Sequence, residues 1–478
     1  MSVREHEAGR AAEESRLLYP LPSTLYPLFC GMPTTAPGHQ ALRGVTAARV
    51  AAADIMSDLR EGRLLDAAFD RHVLGLDARD RRWTQELTWG SLRRRERLDA
   101  ALRARVRGGI ARINPDLVDL LRLGVYQLLF MGSVPAYAAI GQTVELVKQR
   151  HGIGASRLAN AVLRRIDRER DQLHDDEPAG DVVDSLAREH SHPLWLVERW
   201  VAQFGPGETA SLLAANNQEA PVILRPWRVT RAALDAELHD AGVDGEAVPL
   251  DADAIRLPAG TALLELSAWR RGHCFVQDPA ATLVTRYAAM APGVTVADAC
   301  AAPGGKSLEM SRTAGFVVAG DRSVSRLARL ADNVERLHAD RLGLVAMDVT
   351  APAIRPVEAL LLDAPCTGTG TFRRHPDARW RLRISDLAVL AATQASMLRS
   401  AADHVQPGGL LVYSTCSIEP EENDGQVDAF LESHPGWSVE PPPSGAVPDD
   451  VMDSGRLRVL PHRHGTDGAF AARLRRAA

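Results

Sequence analysis

Val294-Thr-Val-Ala-Asp-Ala-Cys-Ala-Ala-Pro-Gly-Gly-Lys306 is the stretch on which the reading of this chain turns. It starts as an apolar run of the kind that fills a buried parallel strand. It then breaks into a turn at Pro303, Gly304 and Gly305. Glycines there let the backbone turn sharply and approach a ligand closely. The turn matches neither the GxGxxG fingerprint nor the phosphate-binding GxxxxGK[ST] loop. Alone it is weak evidence, and its meaning depends on what other strands bring to the same edge.

Working outward, apolar runs recur at Phe316–Gly320, Leu344–Met347, Ala359–Leu362 and Leu410–Ser414. Between them, Val324–Leu337 and Ser385–Val405 carry helical spacing; in the second, Leu387, Leu390, Met397, Leu398, Ala401 and Val405 share a face. This alternation predicts a doubly wound α/β domain over 291–478. Loops at the C-terminal ends of its strands gather in one crevice. Asp321 ends the second strand, where an acid accepts hydrogen bonds from ribose hydroxyls. Asp348 ends the third and is placed to meet an adenine amino group. The competing role for each is a helix N-cap, most plausibly for Asp321 before Arg322-Ser323. Both acids fall on the edge that carries the glycine turn, which favours the ligand role.

Two later strands end in thiols: Asp363-Ala-Pro-Cys366 and Tyr413-Ser-Thr-Cys416. Neighbouring strands lie about 4.8 Å apart, so thiols at adjacent tips can reach one substrate. A lone cysteine is more often an inert core residue. Two in polar turns fit a pyrimidine reaction. Carbon 5 of a pyrimidine is a poor nucleophile until a thiolate adds at carbon 6, and cysteine is the side chain suited to that attack. A carboxyl group such as Asp363 supplies a contact to the ring nitrogen. A second thiol has a use when the carbon 5 proton must leave.

The remainder divides by composition. Residues 1–42 hold Pro20, Pro22, Pro27, Pro33 and Pro37 with little periodicity and read as a flexible leader. Residues 43–170 are helical throughout, with the apolar helix around Leu120–Phe130 at the centre of a bundle of five to seven helices. Residues 171–184 read as a linker, and 185–290 as a small α+β subdomain with strands near 222–225, 254–257 and 262–266, after which Gly272 to Val276 leads into Gln277-Asp278.

Charge sharpens this division. The net charge is −5, yet 43–170 carries 24 Lys/Arg against 15 Asp/Glu. A basic module is joined to an acidic one. Five cysteines without a CxxC pair argue against structural zinc and against a disulfide framework. They fit a reducing, cytoplasmic setting. No apolar run approaches the roughly 20 residues of a spanning helix, so no membrane partner is expected. Pro461-His-Arg-His464 reads as part of a terminal hairpin, and no metal is expected.

Residues 43–170 resemble the NusB-like RNA-binding domain through Arg81-Arg-Trp-Thr-Gln-Glu86-Leu, Gly90-Ser-Leu-Arg-Arg-Arg95, Leu121–Phe130 and Asn160-Ala-Val-Leu-Arg-Arg165. From about 200 to 478 the chain resembles the RNA cytosine-5 methyltransferases of the Sun/Fmu (NOL/NOP/Sun) family. Asn216-Asn217, Gln277–Ala280, Ala299–Lys306, Asp363–Cys366, Arg373-Arg-His-Pro-Asp377, Ser414–Ser417 and Pro420-Glu-Glu-Asn423 carry that likeness. Ser307 stands where threonine is commoner in that family. The resemblance implies a multidomain protein: an all-α NusB-like bundle, the α+β subdomain, and a Rossmann-like class I methyltransferase domain.

It also implies that S-adenosyl-L-methionine sits on Cys300, Ala301, Ala302, Pro303, Gly304, Gly305, Lys306, Asp321, Asp348 and Asp363. It implies that Cys416 is the nucleophile, that Cys366 assists release, and that the substrate is RNA, with 16S rRNA ahead of tRNA or another rRNA site. Residue chemistry alone leaves the order of the two thiols open, because DNA cytosine-5 methyltransferases use the cysteine of their Pro-Cys motif. Arg373, Arg374 and His375 are expected on the RNA, and the protein is expected to act as a monomer. The non-enzymatic alternative is an RNA-binding assembly factor with a vestigial site.

Overall fold

Apolar periodicity and local caps account for most of the observed elements. The computed structural model describes residues 44–172 and 181–478. The expected leader 1–42, with Cys30, lies outside the described residues, as do positions 173–180 of the expected linker. The described chain forms two compact units. One holds numbers 218–374 and 382–478; the other holds the residues up to Asn217 together with His375–Arg381.

The second unit is all helix: Ala47–Arg60, Leu65–His72, Ala78–Arg93, Arg95–Arg103, Pro115–Phe130 and Ala136–Arg168, then Val182–Glu189 and Leu194–Asn216. Pro115 stands in the first turn of its helix, where its missing N–H costs nothing. The Asn114 side chain caps that turn by accepting the Asp116 N–H at 2.9 Å. Leu120, Leu121, Leu123 and Val125 from this helix are buried in the bundle core. Arg122 on the same helix is buried too, and its guanidinium meets both Asp99 oxygens at 2.6 and 2.7 Å and Asp119 at 2.7 Å. The longest helix bends at Gly152, whose φ of 81 breaks the α-helical path.

The helices over Val182–Asn216, expected to open the α+β subdomain, fall in the helical unit. Trp200, Leu212 and Leu213 are fully buried there. So is Arg379, which donates to the Asn216 carbonyl at 2.9 Å and to Asn217 Oδ1 at 2.7 Å. Burial pushes its pKa down to about 9. Trp380 Nε1 donates to the Leu92 carbonyl at 2.8 Å. The segment His375–Arg381 is thus pinned by side chains that the spacing of apolar residues does not reveal.

The first unit opens with a four-stranded antiparallel sheet of β1 (Ile223–Pro226), β2 (Glu246–Ala247), β3 (Ile255–Arg256) and β4 (Cys274–Val276), in the order β2-β3-β1-β4. The expected strand at 262–266 is instead a helical turn over Leu263–Glu265. Leu263 and Leu266 are both buried while Glu265 between them is exposed, a spacing of three that suits a turn and not a strand.

The main sheet runs β5 (Thr295–Asp298), β6 (Phe316–Asp321), β7 (Leu342–Ala346), β8 (Val357–Asp363), β9 (Val405–Thr415), β10 (Trp437–Val439), β11 (Met452–Asp453), β12 (Arg456–Val459) and β13 (Ala469–Arg476). Its order is β11-β12-β13-β9-β8-β5-β6-β7, with β10 on β13. The pairs among β5 to β9 are parallel, and those involving β10 to β13 are antiparallel. Alternate residues serve opposite faces. Val296, Leu361 and Val412 enter one core, while Ala297, Leu360, Leu362, Leu411 and Tyr413 enter the other. Burial on both faces is why these strands read as continuous apolar runs. The chain steps outward from β5 to β7, then returns to lay β8 on the other side of β5. That reversal opens a crevice beyond the strand ends.

Candidate active site

The turn after β5 hangs between its neighbours: the Ala299 N–H donates to the Leu361 carbonyl at 2.9 Å and the Ala301 N–H to the Gly320 carbonyl at 2.8 Å. The Ala302–Pro303 peptide is cis, and Gly304 has φ 108. A Cβ at Gly304 would lie 2.0 Å from Leu330 Cδ1, and one at Gly305 would lie 2.5 Å from Gln277 Oε1. Both glycines are therefore required by close packing as well as by backbone shape. Beneath the turn, buried Asp298 accepts the Ser307 hydroxyl at 2.6 Å. Burial pushes the Asp298 carboxyl up to about 7, with Ser307 pulling the other way. Serine supplies the hydroxyl that this contact needs.

Cys300, in the same turn, is held well above the ordinary thiol range by burial and then by Asp321, Asp298 and Asp363. It is not poised as a nucleophile.

Asp321 is not the cap of the helix that follows. Its Oδ2 accepts the Ala302 N–H at 3.3 Å and its Oδ1 the Ser323 N–H at 2.9 Å. The cap is Ser323, whose hydroxyl accepts the Arg326 N–H. Asp348 lies two residues past β7, where its Oδ1 accepts the Thr350 N–H at 2.8 Å and hydroxyl at 2.7 Å. Burial opposes its ionisation, yet these two donors bring it below the usual carboxylate range.

Asp363, at the tip of β8, accepts Lys306 Nζ at 2.7 Å and the Ser414 hydroxyl at 2.7 Å. Lys306 is buried, which disfavours its charge, but Asp363 outweighs that and raises its pKa. This pair spans the reversal point, from the β5 turn to the β8 tip.

The crevice suits a ligand with cationic and hydroxyl donors. Asp321 and Asp363 stand at the ends of β6 and β8, and Asp348 stands just past β7. Val324, three residues past Asp321, is 69% exposed. These features fit S-adenosylmethionine, whose sulfonium and ammonium groups are cations and whose ribose presents two hydroxyls.

The two thiols meet: Cys366 Sγ lies 3.3 Å from Cys416 Sγ. Cys366 is 3% exposed, and Cys416 is partly open. The parallel register pairs Asp363 with Ser414, so their following turns run side by side. The Gly370 N–H donates to the Cys416 carbonyl at 3.0 Å, and the Gly468 N–H donates to the Gly370 carbonyl at 2.8 Å. A Cβ at Gly370 would come within 2.7 Å of the Cys416 carbonyl oxygen.

The three residues expected on RNA are placed otherwise. Arg373 donates to Asp467 at 2.6 Å and to Asp278 at 2.7 Å; Arg374 donates to the same two carboxylates at 2.5 Å each. Both guanidinium groups are tied into this four-membered box, Arg373 buried and Arg374 half-buried. The basic dipeptide gave no hint of the two acids, nearly a hundred residues away on either side. His375 belongs to the helical unit, 8% exposed, with Nδ1 3.4 Å from Asp66 Oδ2. Buried against that acid, it too departs from the expected surface role. Sequence reasoning also assigned no role to Glu422, although its Pro420-Glu-Glu-Asn423 run follows the Cys416 turn directly.

Among the described residues no cluster of three or more His, Cys, Asp or Glu is arranged to hold a metal, and no helix is long and apolar enough to cross a membrane.

A parallel sheet reversing at β5, with a glycine turn there and acids after the next strands, defines a Rossmann-like methyltransferase domain. Comparison with known proteins narrows that class. Residues 288–475 match the 16S rRNA methyltransferase RsmB/F family, 46–168 the NusB family, and 192–263 the RsmF/B-like ferredoxin-like domain. The chain is 36% identical over 430 residues to a probable ribosomal RNA small subunit methyltransferase B from Synechocystis, covering 86% of this chain and 94% of that one. It is 36% identical over 442 residues to ribosomal RNA small subunit methyltransferase B from Pseudomonas putida, covering 89% and 98%. The crystal structure of PH0851 superposes with a TM-score of 0.74 at 26% identity, covering 90% of this chain and 99% of that one. The chain belongs to the RsmB/F family of 16S rRNA methyltransferases.

Proposed function

We propose that this protein methylates carbon 5 of a cytosine in RNA, with 16S rRNA as the substrate, through a covalent bond from Cys416 to carbon 6. The observation that carries this reading is the 3.3 Å approach of Cys366 and Cys416 at the tips of adjacent parallel strands. The names of the relatives, which specify the ribosomal small subunit, support the choice of RNA.

Bound S-adenosylmethionine supplies an electrophilic methyl group on its sulfonium sulfur. Cys300–Lys306, Asp321, Asp348 and Asp363 are the residues that would hold it. Cys416, the more open thiol, adds to carbon 6 and turns carbon 5 into an enamine-type nucleophile. Asp363, oriented by Lys306 and Ser414, stands where its carboxyl, once protonated, donates a hydrogen bond to the ring nitrogen and steadies the electron density pushed onto it. Once carbon 5 carries the methyl group, a base drawn from solvent takes its proton, and that C–H electron pair re-forms the 5,6 double bond. The Cys416 sulfur departs with the electrons of the carbon–sulfur bond. Cys366 stands beside the sulfur that must leave and assists this second half.

Carbon 6 is hidden inside a duplex, so the target cytosine is flipped out or already unpaired. The basic helical unit adds salt-sensitive affinity for the phosphate backbone. Every residue named in the chemistry comes from one compact unit of one chain, in keeping with a monomeric enzyme. Incubating the protein with unmodified small-subunit RNA and methyl-labelled cofactor, then digesting the RNA to nucleosides, tests the proposal. 5-Methylcytidine is expected; label in any other nucleoside, or none, rejects it.

A further inference from the structure

The short turn Pro420–Glu422 follows the Cys416 loop and turns the Glu422 side chain inward, where it is fully buried. A carboxylate in such a place costs several kcal/mol unless its oxygens are satisfied, so its partners indicate what it is there to do. Oε1 accepts the Thr367 N–H at 2.9 Å and Gln394 Nε2 at 3.0 Å. Oε2 accepts the Thr367 hydroxyl, whose oxygen also lies 3.0 Å from Ser417 Oγ. Thr367 follows Cys366 in the chain, and Ser417 follows Cys416. Gln394 donates as well to the carbonyl of Pro365, just before Cys366, at 2.9 Å. One carboxyl group is therefore tied to both sides of Cys366 and, through one hydroxyl, to the flank of Cys416.

We propose that Glu422 is a positioning residue for the methyl-transfer reaction, clamping Cys366 against Cys416 and keeping Cys366 protonated while Cys416 attacks. This rests on the thiol roles assigned above. Two thiolates 3.3 Å apart would repel, so one sulfur must keep its proton and donate it to the other. The Cys366 thiol stands well above its ordinary range, through its hydrogen bond with Cys416, then burial, then the charges of Cys416 and Glu422. Burial pushes the Glu422 carboxyl up, while Ser417, Thr367 and Gln394 donate hydrogen bonds that favour its charged form.

Other titratable groups around this cluster are Lys306, Asp363, Tyr413 and the buried Glu419, whose N–H donates to Ser417 Oγ at 3.0 Å. Lys306 feels Cys416 and Asp363, and so sits on the Cys416 side. Tyr413 donates to the Glu422 carbonyl oxygen at 2.7 Å. It is held well above its ordinary range by burial, Glu422, Cys366 and Asp363, and so stays neutral. Glu422 is the one carboxylate tied by its own oxygens to the residue after Cys366.

The test uses the full chain without RNA or cofactor. Iodoacetamide labelling is followed over a pH series, and each cysteine is quantified by peptide mass spectrometry. The midpoint of the Cys366 curve reports its ionisation whatever its accessibility. Glu422→Gln is the informative variant: its oxygen can still accept from Thr367 and Gln394, and its amide can donate to the Thr367 hydroxyl, so the clamp stays and the charge goes. The Cys366 midpoint is expected to fall by about one pH unit. Glu422→Ala, which also removes the clamp, is expected to raise the labelling rate of Cys366 at every pH.

A Glu422 that merely supports the fold would lower the melting temperature of the glutamine variant and leave the midpoint in place, which overturns the proposal. A wild-type Cys366 midpoint at or below the ordinary thiol value of about 8.5 overturns it whether or not the variants fold. Because no methylation is measured, this outcome is separate from failure of the nucleophile assignment, which Cys416→Ala reports.

Discussion

The two halves of the crevice are built differently. On the β5–β7 side each acid is held by its own local partners: Asp348 is partly exposed and bonded only within its own turn, and buried Asp321 is met by two backbone N–H groups and one arginine. On the β8–β9 side the turns are stitched together by Glu422, Thr367, Ser417 and Gln394, all buried. The first side presents charge to a ligand that arrives and leaves. The second holds two sulfurs at one distance, and position is what a covalent step demands. Separately held acids suit the proposed binding, and a dense polar network suits the proposed chemistry.

The largest effect that would break this contrast lies on the thiol side. Cys416→Ala should cut methyl transfer by about 10⁴-fold or more, read as label incorporated into RNA, and should form no covalent protein–RNA species. Cys366→Ala should instead accumulate that species, visible as a shifted band on a denaturing gel. Exchange of these two phenotypes would reverse the roles of the loops.

Next comes the Arg373–Arg374 box. Arg374→Ala leaves Asp278 and Asp467 short of a buried partner, so urea unfolding should show a loss of about 3–5 kcal/mol. A variant with unchanged stability and weakened RNA binding would return Arg374 to the substrate.

On the cofactor side, Asp298 predicts a pH signature. Its carboxyl in the folded protein is pushed up to about 7, above the unfolded value of about 3.9. The native state therefore favours the protonated form. That stabilisation is complete below about pH 4 and is lost as pH rises through about 7, by an amount on the order of 4 kcal/mol as an upper bound. Asp298→Asn keeps an acceptor for Ser307 and removes the titration. Its stability relative to wild type should rise by a few kcal/mol between pH 4 and pH 8, measured by urea midpoints. A flat difference would show that Asp298 stays ionised.

The smallest effect concerns the turn. Gly304→Ala forces a Cβ against Leu330 at positive φ and should cost about 1–3 kcal/mol, seen as a lower melting temperature.

Much of this was legible in the chain. Val324–Leu337 is a helix over the residues that its spacing predicts, and the five apolar runs of the α/β domain all became parallel strands, the edge strand β7 being only partly buried. Burial on both faces leaves an unmistakable apolar signature. The acids and thiols at the strand ends were also legible, because a doubly wound sheet brings those ends to one edge whatever the details. The helical turn at Leu263–Glu265 was not, since a run of five apolar and polar residues supports either period.

Local pattern, then, determined the helical bundle, the five parallel strands of the main sheet and which residues stand at their tips, because periodicity is written residue by residue. Tertiary structure alone decided partnership. It gave Arg373 and Arg374 to Asp278 and Asp467, placed Arg379 under Asn216, and tied Glu422 across both thiol turns. Such pairings depend on desolvation and on distances between segments remote in the chain, and no spacing along a sequence encodes them.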